Sequence, residues 1–402
     1  MTPTFHIATQ GFQANSKSLL SFMRQENFTS ICRRLTGQEQ YKIVKEHRRD
    51  VGKLFFLETD KRIFYITYTP YGNVDGRNSY FQSIPTAMNL YLENKDISHK
   101  ETSFHLYLPK SAGNNKTSYH IFMYQLLKTI GIDFINEIEA LGNIQLTGFT
   151  SVEKVIGDRN KISSGNRSNR PTFITDEGDV YNLYAKTFGA NSKESSLICL
   201  AISRISDKPI NLYFVEDNKS NFLSKSDIKG IQTFAKTQKC QPINFYSGDG
   251  IDLTKSNKEN SKENDNLRHP QFTYNLLAKT YGKKKCVLCN CMIERIIQAA
   301  HIYPLEAIKK DTHKQFSEKL KLAVDGNNGM WLCQNHHKLF DCGLIRFNDD
   351  GSIFYNNVTK EEDKVYLDSI TIKKSIGADF FNSATLRYLH MRDTYYAAQH
   401  RY

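Results

Sequence analysis

The chain has 402 residues, with 54 Lys and Arg against 42 Asp and Glu, a formal charge of +12 and 12% aromatic residues. That length exceeds one compact domain and implies two or three, and a pI near 9.1 favours polyanionic partners over basic ones. No run approaches 18 apolar residues, and the opening MTPTFHIATQGFQ has neither a basic start nor an apolar core, so the expectation is a cytoplasmic protein with no membrane contact and reduced cysteines.

Taken along the chain, Arg33, Arg34, Lys42, Lys45, Arg48 and Arg49 form a basic run near a predicted helix, equally a phosphate track or a solvated face. KLFFLET and RIFYITYTP, joined by a polar turn at Asp60, predict a β-hairpin, and SFHLYLP from Ser103 a further strand. Tyr119 to Leu141 has helical spacing broken near Gly131. Residues 1–155 thus read as a mixed α/β domain. Ile156 to Pro171, rich in Ser, Asn, Gly and Arg, reads as a linker or exposed loop.

Residues 172–250 repeat that style, with VYNLYAKTF and INLYFVED as strands around a helix-like SSLICLAISRI. The intervening GANSKES lacks the spacing of a nucleotide-binding loop, in which the second Gly directly precedes the Lys. It predicts a strand-to-helix turn capped by Asn191 or Ser192, with Lys186 and Lys193 as phosphate contacts if this segment meets DNA. Residues 53–94 and 178–205 share a weak likeness, best read as two ordinary α/β segments. YNLYAKTFG at Tyr181 and YNLLAKTYG at Tyr274 are alike by chance. Thr254 to Pro270, nearly free of apolar residues, is a second linker.

Cys286 and Cys289 form a C-x2-C knuckle, and Cys333 and His336 stand three apart at the start of a predicted helix, where i and i+3 share a face. Three thiolates and one imidazole suit tetrahedral zinc. Taken alone this set reads equally as a structural zinc site with no chemistry. The stretch between its halves is too long for a DNA-reading finger and holds His301 and Asn328. Cys291 and Cys342 flank the cluster at less suitable spacing, while Cys32, Cys199 and Cys240 read as ordinary buried thiols.

CVLC, AAHIYP and NGMWLCQNHHKLFDCG together resemble the HNH, or ββα-metal, endonuclease family, over about seventy residues. The resemblance implies that His301 is the general base, that Asn328 holds the loop orienting it, and that His337 binds a catalytic divalent metal, Mg2+ or Mn2+, beside a structural zinc on Cys286, Cys289, Cys333 and His336. Helix geometry agrees, since adjacent residues lie about 100° apart, so His336 can face zinc while His337 faces the cleft. Many members place Asp directly before the base; here that residue is Ala300, which leaves Asp325 or Asp341 to supply a carboxylate, or the metal to be held by His337, Asn328 and phosphate oxygens.

Beyond this core, LIRFNDDGSIFY predicts a hairpin turning at Asp350-Gly351, and Phe380 onward a terminal helix packed on the nuclease core, with His390 structural. The expected architecture is α+β and multidomain, comprising domains 1–155 and 172–250 for DNA recognition and a zinc-stabilised nuclease domain 270–402. By analogy it suits a type II-like restriction endonuclease cutting double-stranded DNA as a homodimer, with a companion DNA methyltransferase in the host. A modification-dependent enzyme reading a methylated base is the alternative, ahead of a non-catalytic zinc DNA-binding protein.

Overall fold

The computed structural model describes residues 1–8, 25–46, 54–68, 100–107, 114–132, 134–137, 148–163, 172–186, 190–216, 223–255, 267, 269–377 and 379–398. Among them, eleven helices and four sheets make a mixed α+β protein. Internal contacts gather residues 1–171, 186–212 and 218–244 into one compact unit, and 172–185, 213–217 and 245–402 into another. Residues 172–250, expected as a middle domain, are thus apportioned to both.

The first unit holds a six-stranded sheet of β1 (Thr4–Ala8), β2 (Lys42–Glu46), β3 (Leu54–Glu58), β4 (Arg62–Tyr68), β5 (Glu101–Tyr107) and β6 (Phe134–Glu137), in the order β2-β1-β3-β4-β5-β6. The predicted hairpin at Asp60 is β3–β4, antiparallel with Phe56 opposite Tyr65, and the strand predicted near Ser103 is β5, parallel to β4. Side chains alternate across a strand, so Phe5, Leu57, Phe64 and Ile66 share a face. Helix α1 (Gln25–Thr36) covers it through Phe28, Ile31 and Cys32. Helices α2 (Asn114–Thr129), α3 (Val152–Ser163), α4 (Ala190–Ile205) and α5 (Lys225–Thr237) pack on one another, and α5 starts on a capping box between Ser224 and Asp227.

Four expectations change here. The break expected near Gly131 is present, with the helix ending at Thr129 and Gly131 turning the chain at φ +85°, but beyond it Phe134–Glu137 pairs with β5 in place of the helical spacing expected there, a non-local contact that local spacing does not carry. The first part of the predicted linker is α3, held by buried Val155 and by Arg159, whose guanidinium lies 3.6 Å from Glu194. The basic run is split, with Arg33 and Arg34 ending α1 and Lys42 and Lys45 on β2, while Arg48 and Arg49 lie outside the described residues. Helix α4 starts at Ala190, which puts Asn191 and Ser192 inside its first turn rather than before it. Most of residues 53–94, one half of the weak internal likeness, also lie outside the described residues.

Strands β7 (Thr172–Asp176), β8 (Tyr181–Lys186), β9 (Ile210–Glu216) and β10 (Ile243–Ser247) form a sheet in the order β10-β9-β8-β7. In the second unit, α6 (Pro270–Lys279) leads to a two-stranded ribbon, β11 (Ile297–His301) and β12 (Gly329–Cys333). Between its strands lie α7 (Leu305–Lys310) and α8 (Phe316–Val324). After it come α9 (Gln334–Asp341), the hairpin β13 (Ile345–Phe347) and β14 (Ile353–Tyr355) with Gly351 at φ +80°, α10 (Glu361–Ile370) and α11 (Ser383–Ala397). Strand β12 reads GMWLC without polar alternation because both faces are covered. Met330 and Leu332 join Ala300, Phe340 and Leu389 in one core, and Trp331 joins Ile297, Leu276 and Tyr274 in another.

Reassigning 156–163 from linker to part of the packed helix α3 has a direct consequence. Val155→Ala should destabilise the first unit by about 1–3 kcal/mol in urea unfolding, whereas Lys161→Ala on the exposed side of α3 should stay within about 0.5 kcal/mol; equal effects would contradict a packed helix.

Candidate functional site

The knuckle and the start of α9 bring Cys286, Cys289, Cys333 and His336 together, with one ligand atom from each within 4.8 Å of all the others. The Cys289 and Cys333 sulfurs are 3.9 Å apart, and His336 Nδ1 lies 3.1 Å from Cys333 Sγ and 3.5 Å from Cys286 Sγ. A tetrahedral ion with zinc–sulfur bonds of about 2.3 Å and zinc–nitrogen bonds of about 2.0 Å implies edges of about 3.8 and 3.5 Å. The donor set therefore fits zinc. Burial and the neighbouring Cys286 and Cys333 push the Cys289 thiol up to about 12, so ionising it calls for a cation at its centre. Cys291 contributes backbone rather than sulfur, since its carbonyl accepts from Cys286 N at 3.1 Å and its N–H donates to the Cys289 sulfur.

His336 has a second partner that the sequence does not signal. Its Nε2 lies 3.2 Å from Oγ1 of the fully buried Thr371 while Nδ1 faces the thiols; with Nδ1 on the metal, Nε2 would carry the proton and donate it to the hydroxyl, the usual arrangement of a metal-binding histidine.

At the far end of the ribbon His301 pairs with Gly329. Its Nε2 is 2.9 Å from the carbonyl oxygen of Ala323. A carbonyl only accepts, so Nε2 carries the proton and Nδ1 the lone pair. Asn328 is fully buried; its Oδ1 accepts from Tyr303 N at 2.7 Å, and its Nδ2 donates to Tyr303 O at 3.3 Å and Leu322 O at 3.1 Å. It grips both the loop that follows His301 and the peptide adjoining that histidine's acceptor. One ring face of His301 stacks on Phe272 of α6, with centroids 3.7 Å apart and planes inclined by 12°.

His337, on α9, is bonded through Nδ1 to Gln298 Oε1 of the ribbon at 2.6 Å, with Nε2 3.4 Å from Asp341 Oδ2. Alternation along β11 puts Gln298 and Ala300 on the face toward α9 and His301 on the face toward α6. Ala300 is buried in the core. Of the two carboxylates considered for the metal, Asp341 adjoins His337. Asp325 instead caps the turn Gly326–Asn328, with Oδ1 accepting from Asn327 N at 2.8 Å and Oδ2 from Tyr388 Oη at 2.8 Å. The half-exposed His337 and Asp341 fit a hard divalent ion that keeps water and phosphate oxygens as its other ligands.

Helix α11 packs as predicted and adds a residue that pattern reading misses. The buried guanidinium of Arg392 donates to Ile302 O at 3.1 Å and Phe340 O at 2.5 Å, lying 3.8 Å over the Phe340 ring. It ties the loop after His301 to α9. His390 forms an exposed pair with Asp349 at 2.8 Å.

Residues 286–348 match the family model for HNH endonucleases. No curated protein matches the chain. The C-terminal part of this chain therefore carries an HNH endonuclease domain, a class that acts on DNA and uses divalent metals, and no described helix is long and apolar enough to cross a membrane.

Thr371→Val keeps the shape but removes the acceptor on His336, and should weaken zinc binding by about 10- to 100-fold in competition with a chromogenic chelator. Cys286→Ser should abolish stoichiometric zinc and the cooperative unfolding of the second unit; retention of both would contradict a zinc clamp.

Proposed function

From an HNH endonuclease domain at residues 286–348, we propose that this protein is a site-specific endonuclease that hydrolyses phosphodiester bonds of double-stranded DNA, in the manner of a type II-like restriction enzyme. The observation that supports this most is the fixed tautomer of His301, whose Nε2 proton is committed to the Ala323 carbonyl at 2.9 Å. That leaves a lone pair on Nδ1, and a neutral imidazole takes a proton from water near neutral pH.

In this reading Nδ1 of His301 removes a proton from water as the water oxygen attacks phosphorus, the bond to the 3′ oxygen breaks, and the imidazolium returns its proton to solvent. Asn328 keeps the two peptides around His301 in place through its bonds to Tyr303 and Leu322. Mg2+ or Mn2+ would offset charge on the phosphate and the departing oxygen; His337 with Asp341 is the pair that would hold such an ion, on the α9 face of the ribbon, whereas His301 is on the α6 face. Zinc on Cys286, Cys289, Cys333 and His336 is structural. The formal charge of +12 supports DNA as the polyanion. The residues ahead of the nuclease domain read the site, two copies of the chain cut the two strands, and a host methyltransferase protects its own DNA.

Phage DNA, unmodified or cytosine-methylated, incubated with the pure protein and Mg2+, Mn2+ or EDTA should give discrete metal-dependent bands on unmodified DNA. His301→Ala should lower that rate by about 10²- to 10⁴-fold while leaving zinc content and unfolding unchanged. Bands on methylated DNA alone would replace this reading with a modification-dependent enzyme, a smear with an unspecific nuclease, and intact DNA throughout with a zinc DNA-binding protein.

A further inference from the structure

Helix α6 lies ahead of the matched segment 286–348, yet two of its side chains meet the elements that orient His301. Phe272 is buried and covers one face of the imidazole at 3.7 Å, nearly parallel to it. A hydrogen bond at Nε2 fixes one direction in the ring and leaves rotation about that axis open; a stacked partner closes that second freedom. Asn275 donates from Nδ2 to Val324 O at 2.7 Å, one peptide beyond the carbonyl that receives the His301 proton.

The turn opposite is shaped to admit this helix. A Cβ on Gly329, the register partner of His301, would stand 2.8 Å from Phe272 Cζ. A Cβ on Gly326 would stand 2.6 Å from the Asn275 carbonyl oxygen. Real Cβ atoms do not approach so closely, so the two glycines around Asn327 and Asn328 leave the space through which α6 reaches the histidine.

We propose that α6 is part of the catalytic unit, with Phe272 and Asn275 as positioning residues: Phe272 sets the plane of the His301 ring, and Asn275 holds the strip of backbone that receives its proton. The proposal rests on His301 being the general base and adds what aims it. The nuclease unit then begins at α6 rather than at the cysteine knuckle, and residues 286–348 alone lack part of the machinery.

The test uses the full-length protein with bound zinc. Phe272→Leu keeps an apolar side chain but removes the stack, and should lower kcat by about 10- to 100-fold, with KM for DNA changed by less than about threefold and zinc content unchanged. Gly329→Ala, which pushes the ring of Phe272 aside, should cause a similar loss, and the double variant should be no slower than Phe272→Leu alone because the shorter side chain leaves room for the methyl. In 15N NMR, the His301 signal, assigned by its loss in His301→Ala, should show one Nε2–H tautomer in wild type and an averaged pair in Phe272→Leu. A kcat for Phe272→Leu within about twofold of wild type, additive losses in the double variant, or an unchanged tautomer signal would overturn the positioning role. If the wild type does not cleave DNA at all, the base reading fails on its own account, and the NMR comparison still decides whether Phe272 orients the ring.

Discussion

The last carbonyls of a helix have no donors within it, and burying them unsatisfied costs about 1–3 kcal/mol each. At the end of α8 three successive carbonyls are met by side chains from three different places: Leu322 O by Asn328, Ala323 O by His301 and Val324 O by Asn275. The histidine is therefore oriented by the same bonds that finish the helix. Rotating its ring away would strand a carbonyl, so local stability and, in the proposed reading, the aim of the base are one interaction. Asn328 has no spare polar atom, since every donor and acceptor it offers faces backbone. That fits a residue that holds two peptides together and does not itself meet substrate.

The zinc clamp stands at the opposite end of the ribbon. Ile297 pairs with Cys333 at one end of β11–β12 and His301 with Gly329 at the other, a separation of about 13 Å at a strand rise near 3.3 Å per residue. A two-stranded ribbon is marginal by itself. Here it is fastened at one end by the four ligands and at the other by α6 and α8, and closed by Arg392 from α11. In the proposed reading, metal stabilises the frame and the chemistry occurs where the frame ends.

The parts of this arrangement that were legible in the sequence are those for which chemistry demands particular residue types at set spacings. Zinc needs thiolates and imidazole, which marks Cys286, Cys289, Cys333 and His336; the family resemblance marks His301, Asn328 and His337. What escaped notice depends on contacts between distant segments. YNLYAK at Tyr181 is strand β8 and YNLLAK at Tyr274 is the latter part of helix α6, so nearly the same letters take two conformations, and only packing decides which. Thr371 sits after α10 in no pattern at all. Residues 156–163 looked like linker because within them only Arg159 is buried, while the apolar anchors of the helix, Val152 and Val155, lie just before that stretch. Asp325 and Asp341 were equal candidates by sequence, and they part only when Tyr388 and Asn327 are seen on the first and His337 on the second.

The most direct test of the central claim is the single-turnover cleavage rate of Asn328→Asp on its DNA in Mg2+. The substitution keeps size and shape but replaces the Nδ2 donor with an acceptor facing the Leu322 and Tyr303 carbonyls, so the strip that aims His301 should loosen and the rate should fall by about 100-fold with zinc retained. A rate equal to that of wild type would show that the base needs no such support, and that the capped end of α8 is scaffold alone.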